Sequence, residues 1–313
     1  MPATHRLIAV GVAVCWGLNF LAIDASLTYF PPMFLVALRF ALIAVPTLVA
    51  VPRPQVELRW LIGYGIGFGT LQFVFLYWGM AVGMPAGLAS LVLQSSAPFT
   101  VMLGAIVFRD RVSGRQLAGL LIATAGLALV GRADQAALGP FLLVLAGGLG
   151  WAIGNQCNAR AKAEDPWRLM LWMSVVPPLP MLAVSLLIEG PHRIAESLTS
   201  WSDPHALPAL AGLAYTVVIG TLVGSGLWAW LMARHSAGVV APFSMLVPVV
   251  GMSTAWVVLG ESLGPGEILG AAAVVAGVLW GSRTARRNTP GADQDLVVPT
   301  GAGRSVDAVA DRA

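Results

Sequence analysis

The 313-residue chain takes 57% of its residues from the hydrophobic set and only 11% from Asp, Glu, Lys and Arg. A soluble globular domain carries roughly 25% charge, so the composition excludes an ordinary water-soluble enzyme. The net charge of +3 comes from basic residues dispersed at the ends of apolar runs, which argues for membrane orientation and against nucleic acid as a partner.

Apolar runs lie at 7–28, 33–51, 60–82, 86–108, 114–131, 138–158, 169–188, 207–232, 239–259 and 265–282. At about 1.5 Å rise per residue each can cross most or all of a roughly 30 Å hydrocarbon layer as a helix. The pattern predicts an all-α polytopic membrane protein of ten transmembrane helices. The first run is about twice the length of a signal-peptide core and is expected to remain as an uncleaved span.

In chain order, span one carries Trp16 and Asn19 on one face and Asp24 near its end; span two carries Arg39. Asp24 and Arg39 are the ionisable side chains deepest in the spans. An unpaired charge there costs at least about 2.5–3.5 kcal/mol, so the two are expected to pair at similar depth, or Arg39 to clamp a substrate carboxylate. Span three holds Gly63, Gly65, Gly67, Gly69 and Gln72; the glycines, two apart, offer two faces for close helix packing. Span four holds Gln94, Ser95 and Pro98. Asp110, Ser113 and Gln116 give a capping-box spacing before span five. Span six repeats the tryptophan and amide as Trp151 and Asn155, and Pro177, Pro178 and Pro180 predict a bend in span seven. Tyr215 lies in span eight, Ser244 and Pro248 in span nine. Glu261 precedes Gly264 and Pro265, and is expected to cap span ten. Residues 284–313 lose the apolar period and are expected to form a disordered cytoplasmic tail.

Counting Lys and Arg by alternate loops leaves only Arg132 and Arg193 on one side, outside the spans and the tail. Both termini are therefore expected in the cytoplasm. Pro98, Asp110, Gly119 and Gly126 recur at nearly one offset as Pro248, Glu261, Gly270 and Gly277. A repeat of five spans is odd-numbered, so the second copy enters from the opposite side, giving inverted halves at 1–131 and 132–283.

No HExxH or G-x-S-x-G motif occurs, and Cys15 and Cys157 have no metal-ligand or redox spacing. A catalytic function, a metal and a cofactor are not expected. Polar side chains inside spans must face the bundle interior. Trp16, Asn19, Arg39, Gln72, Gln94, Ser95, Trp151, Asn155, Tyr215 and Ser244 are therefore the candidate lining of a midplane cavity, with Pro98 and Pro248 as hinges. Aromatic faces can hold an ammonium and the amides and Arg39 can donate to a carboxylate, chemistry that suits a small zwitterion.

Trp16–Phe20, Met84–Ser90 and Val240–Gly251 resemble the EamA-type branch of the drug/metabolite transporter superfamily, over about residues 7–283. The resemblance implies ten helices in two inverted five-helix repeats with cytoplasmic ends, in a bacterial inner membrane. It also implies efflux of cysteine or O-acetylserine-like compounds by alternating access. The expected partners are such a solute and the lipid bilayer, with a homodimer left open. Members commonly carry a lysine where this chain has Asp24.

Overall fold

In a computed structural model, residues 1–133, 138–232, 234–235 and 237–282 are described, and among them every regular element is helical. Eight helices are long and apolar enough to cross a membrane: α1 (Ala3–Leu27), α2 (Pro32–Ala50), α3 (Leu58–Ala81), α4 (Ala86–Phe108), α6 (Leu138–Ala161), α7 (Pro166–Ile188), α8 (Ala206–Met232) and α9 (Pro242–Leu259). Two shorter apolar helices, α5 (Gly114–Ala133) and α10 (Pro265–Ser282), complete ten. The expected tail at 284–313 lies outside the described residues.

The helix pairings carry the inverted repeat. Helix α1 packs on α8 and α9, and α6 packs on α3 and α4; α2 meets α7, α4 meets α9, and α5 meets α10. Exchanging each helix with the one five places along maps this set onto itself, as an axis relating inverted halves requires.

Small residues decide how closely these pairs approach. In lipid no hydrophobic force draws helices together, so contact area and backbone proximity carry association. A Cβ on Gly119 would stand 2.5 Å from the Gly277 carbonyl oxygen, and one on Gly126 would stand 2.7 Å from that of Gly270. These are the glycines that the repeat matched. In α3 the two glycine faces separate as expected: Gly63 and Gly67 lie against Cys157 and Gly154 of α6, while Gly65 and Gly69 lie against Val176 and Pro177 of α7. The last contact gives the proline crowding a purpose. Helix α7 breaks between Met173 and Pro178, and the broken stretch presents Val176 and Pro177 to the α3 glycines.

Four other helices depart from α geometry in matched pairs. In α3 and α8, π-helical segments run Gly65–Leu71 and Tyr215–Val223. Inside them Thr70 Oγ1 donates to the Gly65 carbonyl at 3.2 Å and Thr221 Oγ1 to that of Thr216 at 2.8 Å. In α4 and α9 the breaks are 3₁₀ turns, Leu93–Ser95 and Ala241–Met245, just before Pro98 and Pro248. A proline cannot donate to the carbonyl four residues back, which releases those of Gln94 and Ser244. Gln94 Nε2 reaches across and donates to the Ser244 carbonyl at 3.5 Å.

Both junction carboxylates reach across to another helix, Asp110 accepting from Arg160 Nη2 of α6 at 3.1 Å. Ser113 and Gln116 do form the capping box, with Ser113 N donating to Gln116 Oε1 at 2.9 Å and Gln116 N to Ser113 Oγ at 3.3 Å. Glu261 does not cap α10. That start is capped by Glu267, which accepts from Gly264 N at 2.7 Å. Glu261 instead crosses to α4, where Ala86 N and Gly87 N donate to its two oxygens at 2.7 and 3.0 Å. Burial pushes its carboxyl above the usual range, the Gly87 and Ala86 amides pull it back, and the neighbouring Asp24 and Glu267 charges push it up again. Sequence adjacency pointed to α10 because the α4 terminus is brought alongside only by tertiary packing. Glu261→Ala strands both amides, and an expected loss of about 1–3 kcal/mol is checked by thermal unfolding in detergent.

Candidate functional site

Arg39 sits about two turns into α2 and is only 5% exposed. Its side chain crosses to two other helices. Nη1 donates to the Tyr77 hydroxyl of α3 at 2.8 Å, and Nη2 donates to Thr221 Oγ1 of α8 at 2.9 Å. The guanidinium carbon lies 4.0 Å from the centroid of the Phe73 ring, a cation–π contact. Nε is buried with no hydrogen-bond partner. Asp24 is not its counter-ion: no ion pair involves Arg39 among the described residues, and the Asp24 charge is felt at Glu261. Similar depth did not bring the two together, because Arg39 projects toward Tyr77 of α3 and Thr221 of α8. The result is a buried cation held by neutral hydroxyls and a ring.

The widened π segment of α8 gathers further polar groups. Asn19 of α1 packs against Gly220, whose missing Cβ would otherwise stand 2.6 Å from Asn19 Oδ1. That Oδ1 and Thr216 Oγ1 are both buried without a partner. Trp16 Nε1 donates to the Gly220 carbonyl at 2.9 Å, and the Tyr215 hydroxyl donates to the Cys15 carbonyl at 3.1 Å. Both tether α1 to α8 by donors that are thereby engaged. Along α3, rings at Tyr64, Phe68, Phe73 and Tyr77 form a column with neighbouring centroids 5.5–5.8 Å apart. Trp151 of α6 joins this column at Phe68, at 6.0 Å.

The remaining candidates gather elsewhere. Asn155 Nδ2 donates to Thr100 Oγ1 at 3.1 Å, tying α6 to α4, beside Gln156, which donates to the Thr100 carbonyl at 2.6 Å. Ser95 is buried against Gly148 of α6 with its hydroxyl unpartnered, and the Gln72 carboxamide oxygen is likewise buried and unpartnered. Gln94 and Ser244 meet at the two proline breaks. The one cavity expected from the sequence therefore resolves into an Arg39 cluster on α1, α2, α3 and α8, a Gln94–Ser244 junction of the broken helices, and an Asn155–Thr100 tie.

Tyr77, Phe73, Thr216 and Thr221 were missed by sequence reasoning. One signal was there to be read: Gly69-Thr70 and Gly220-Thr221 recur at matching places in the two halves, and a threonine after a glycine can bond a carbonyl and stabilise a locally opened helix.

The EamA-like transporter family model matches residues 5–132 and again 138–283. A probable amino-acid metabolite efflux pump of Salmonella typhimurium is 40% identical over 286 residues, covering 89% of this chain and 94% of that protein. Its namesake in Escherichia coli is 38% identical with the same coverage. A probable terminal-alkyne amino-acid exporter of Streptantibioticus cattleyicolor is 28% identical over 66% of this chain and 67% of its own. A solved crystal structure superposes with a TM-score of 0.58 at 20% identity, over 92% of this chain and 100% of that one, a likeness of fold.

Proposed function

Because the chain belongs to the EamA-like transporter family, we propose that it exports a small amino acid or amino-acid metabolite, of the cysteine or O-acetylserine kind, across a bacterial inner membrane. The observation that carries the reading is the Arg39 guanidinium, buried with no anionic partner and with Nε unpaired among the described residues. A buried charge is costly unless paired, and a substrate carboxylate supplies the pairing that the resting protein lacks. The planar fork suits a carboxylate in a way a lysine ammonium does not. Asn19 Oδ1 and Thr216 Oγ1, buried without a partner among the described residues, are the acceptors offered to the substrate ammonium. The pump names of the two enteric relatives agree with this solute class.

The paired departures from α geometry support alternating access as the mechanism of this export. The 3₁₀ breaks before Pro98 and Pro248 and the π segments of α3 and α8 lie at equivalent places in the inverted halves. The two halves can therefore exchange conformations, with Gln94 and Ser244 as the contact that remakes. The arginine distribution supports a topology with both termini in the cytoplasm and Arg193 outside.

Counterflow tests the reading. Proteoliposomes preloaded with unlabelled cysteine or O-acetylserine are given a trace of labelled compound outside, with protein-free vesicles as control. Saturable, transient accumulation is expected; its absence with folded protein rejects this substrate class.

A further inference from the structure

A carboxylate and a guanidinium lie toward the end of the molecule where α1 turns into α2. A cavity of about 400 Å³ opens there between the α1–α2 turn, the end of α3 and the end of α7, lined among others by Tyr29, Met33, Trp78, Glu189 and Arg193. Met33 is six residues before Arg39 on α2, roughly 9 Å along the axis, and Trp78 follows the Tyr77 that holds Arg39. The cavity is therefore offset from the Arg39 cluster along α2, toward the α1–α2 turn.

Its polar groups are unevenly satisfied. Glu189 accepts from Met33 N at 2.7 Å, Phe34 N at 3.0 Å and Ser185 Oγ at 2.5 Å, which fixes the carboxylate in place and leaves about one acceptor position open, on Oε1. Arg193, exposed on the short helix Pro191–Thr199, makes no ion pair with it or with any other described residue. The Tyr29 hydroxyl is buried and unpartnered. A carboxylate and a guanidinium thus line one cavity more than 4 Å apart, with no ion pair bridging them among the described residues. A molecule carrying both charges, with its anionic end on Arg193 and its ammonium on Glu189 beside the Trp78 ring, completes both.

We infer that this cavity is a second binding site, for a zwitterionic α-amino acid, through which substrate leaving Arg39 passes to the outside. The passage rests on the export reading above; the site rests on the cavity's own charges. A phosphatidylethanolamine headgroup carries the same pair of charges, so the test must separate the two sources.

The experiment is equilibrium binding of radiolabelled L-cysteine, kept reduced, to the full chain in phosphatidylglycerol nanodiscs, with counterflow on the same preparations. The wild type is expected to show two saturable classes. In Arg193→Gln the weaker class weakens by about three- to tenfold, Arg193→Lys recovers most of it, and the half-saturation for outside substrate rises while the maximal rate stays. A single class insensitive to Arg193→Gln, in protein that still counterflows, overturns the second site alone. An Arg193-dependent class without counterflow overturns the export reading and leaves the site standing. Loss of the weaker class when phosphatidylethanolamine is added identifies the headgroup as occupant and overturns the substrate station.

Discussion

Replacing Arg39 by lysine is expected to cut counterflow by about 10- to 100-fold in protein that remains folded. The guanidinium bonds Tyr77 and Thr221 from two separate nitrogens while lying over Phe73. A lysine ammonium keeps the charge, but it is a single centre and cannot present the same fork to a carboxylate between those partners. Hydrogen bonds to charged groups contribute about 1.5–3 kcal/mol, and about 1.4 kcal/mol is tenfold in affinity, which sets the range. Tyr77→Phe removes one tether without touching the charge and is expected to cost about fivefold or less. Measuring both variants by counterflow, with size-exclusion profiles as the check on folding, separates the clamp from a packing role. Full activity in Arg39→Lys rejects the clamp. If Asp24→Asn reproduced the Arg39→Lys defect, the ion pair expected from sequence depth would be restored in place of the hydroxyl pairing.

The seam between α5 and α10 is expected to be the place where the smallest change does most damage. In Gly119→Ala the new Cβ meets the Gly277 carbonyl at 2.5 Å and the Gly281 backbone at 2.8 Å; in Gly126→Ala it meets the Gly270 carbonyl at 2.7 Å. These are backbone atoms, which cannot swing aside as a side chain can, so the helices must separate along their contact. Overpacking of this kind costs about 1–3 kcal/mol or more. Gly11→Ala in α1 is the matched control, because nothing lies within 4 Å of a Cβ there. That change removes a helix-interior glycine and is expected to be neutral or stabilising by up to about 1 kcal/mol. Thermal unfolding of the detergent-purified variants checks the contrast. Equal midpoints for Gly119→Ala and Gly11→Ala would show that the seam is not a tight contact in solution.

Much of the architecture was legible beforehand because bilayer thickness imposes it. A run of about 20 apolar residues has one physical solution in hydrocarbon, a helix whose backbone bonds close on themselves. The expected spans accordingly match the observed helices to within about four residues at each end. The recurrence of Pro98, Gly119 and Gly126 as Pro248, Gly270 and Gly277 was legible for a related reason. A proline break and a glycine contact are requirements of backbone geometry, which few other residues can meet.

Side-chain partnerships were not legible in that way. Arg39 could be placed in the interior from its cost alone, but its partners come from α3 and α8, 38 and 182 residues away. Glu261 read as a local cap and turned out to hold the start of α4, 175 residues earlier in the chain. Asn19 and Asn155 looked equivalent by sequence; one faces Gly220 with an unpartnered oxygen, the other is spent on Thr100.

What the solvent demands is written along the chain: ten apolar helices, their inverted duplication, the glycine contacts and the burial of one arginine. Packing alone sets which groups that arginine meets, where helices open into π and 3₁₀ turns, and that Glu189 and Arg193 share a cavity without touching. Hydrophobic length and backbone geometry act within a segment and leave a periodic mark on it. Hydrogen-bond partners are chosen by which helix faces which, and that is settled only when all ten pack.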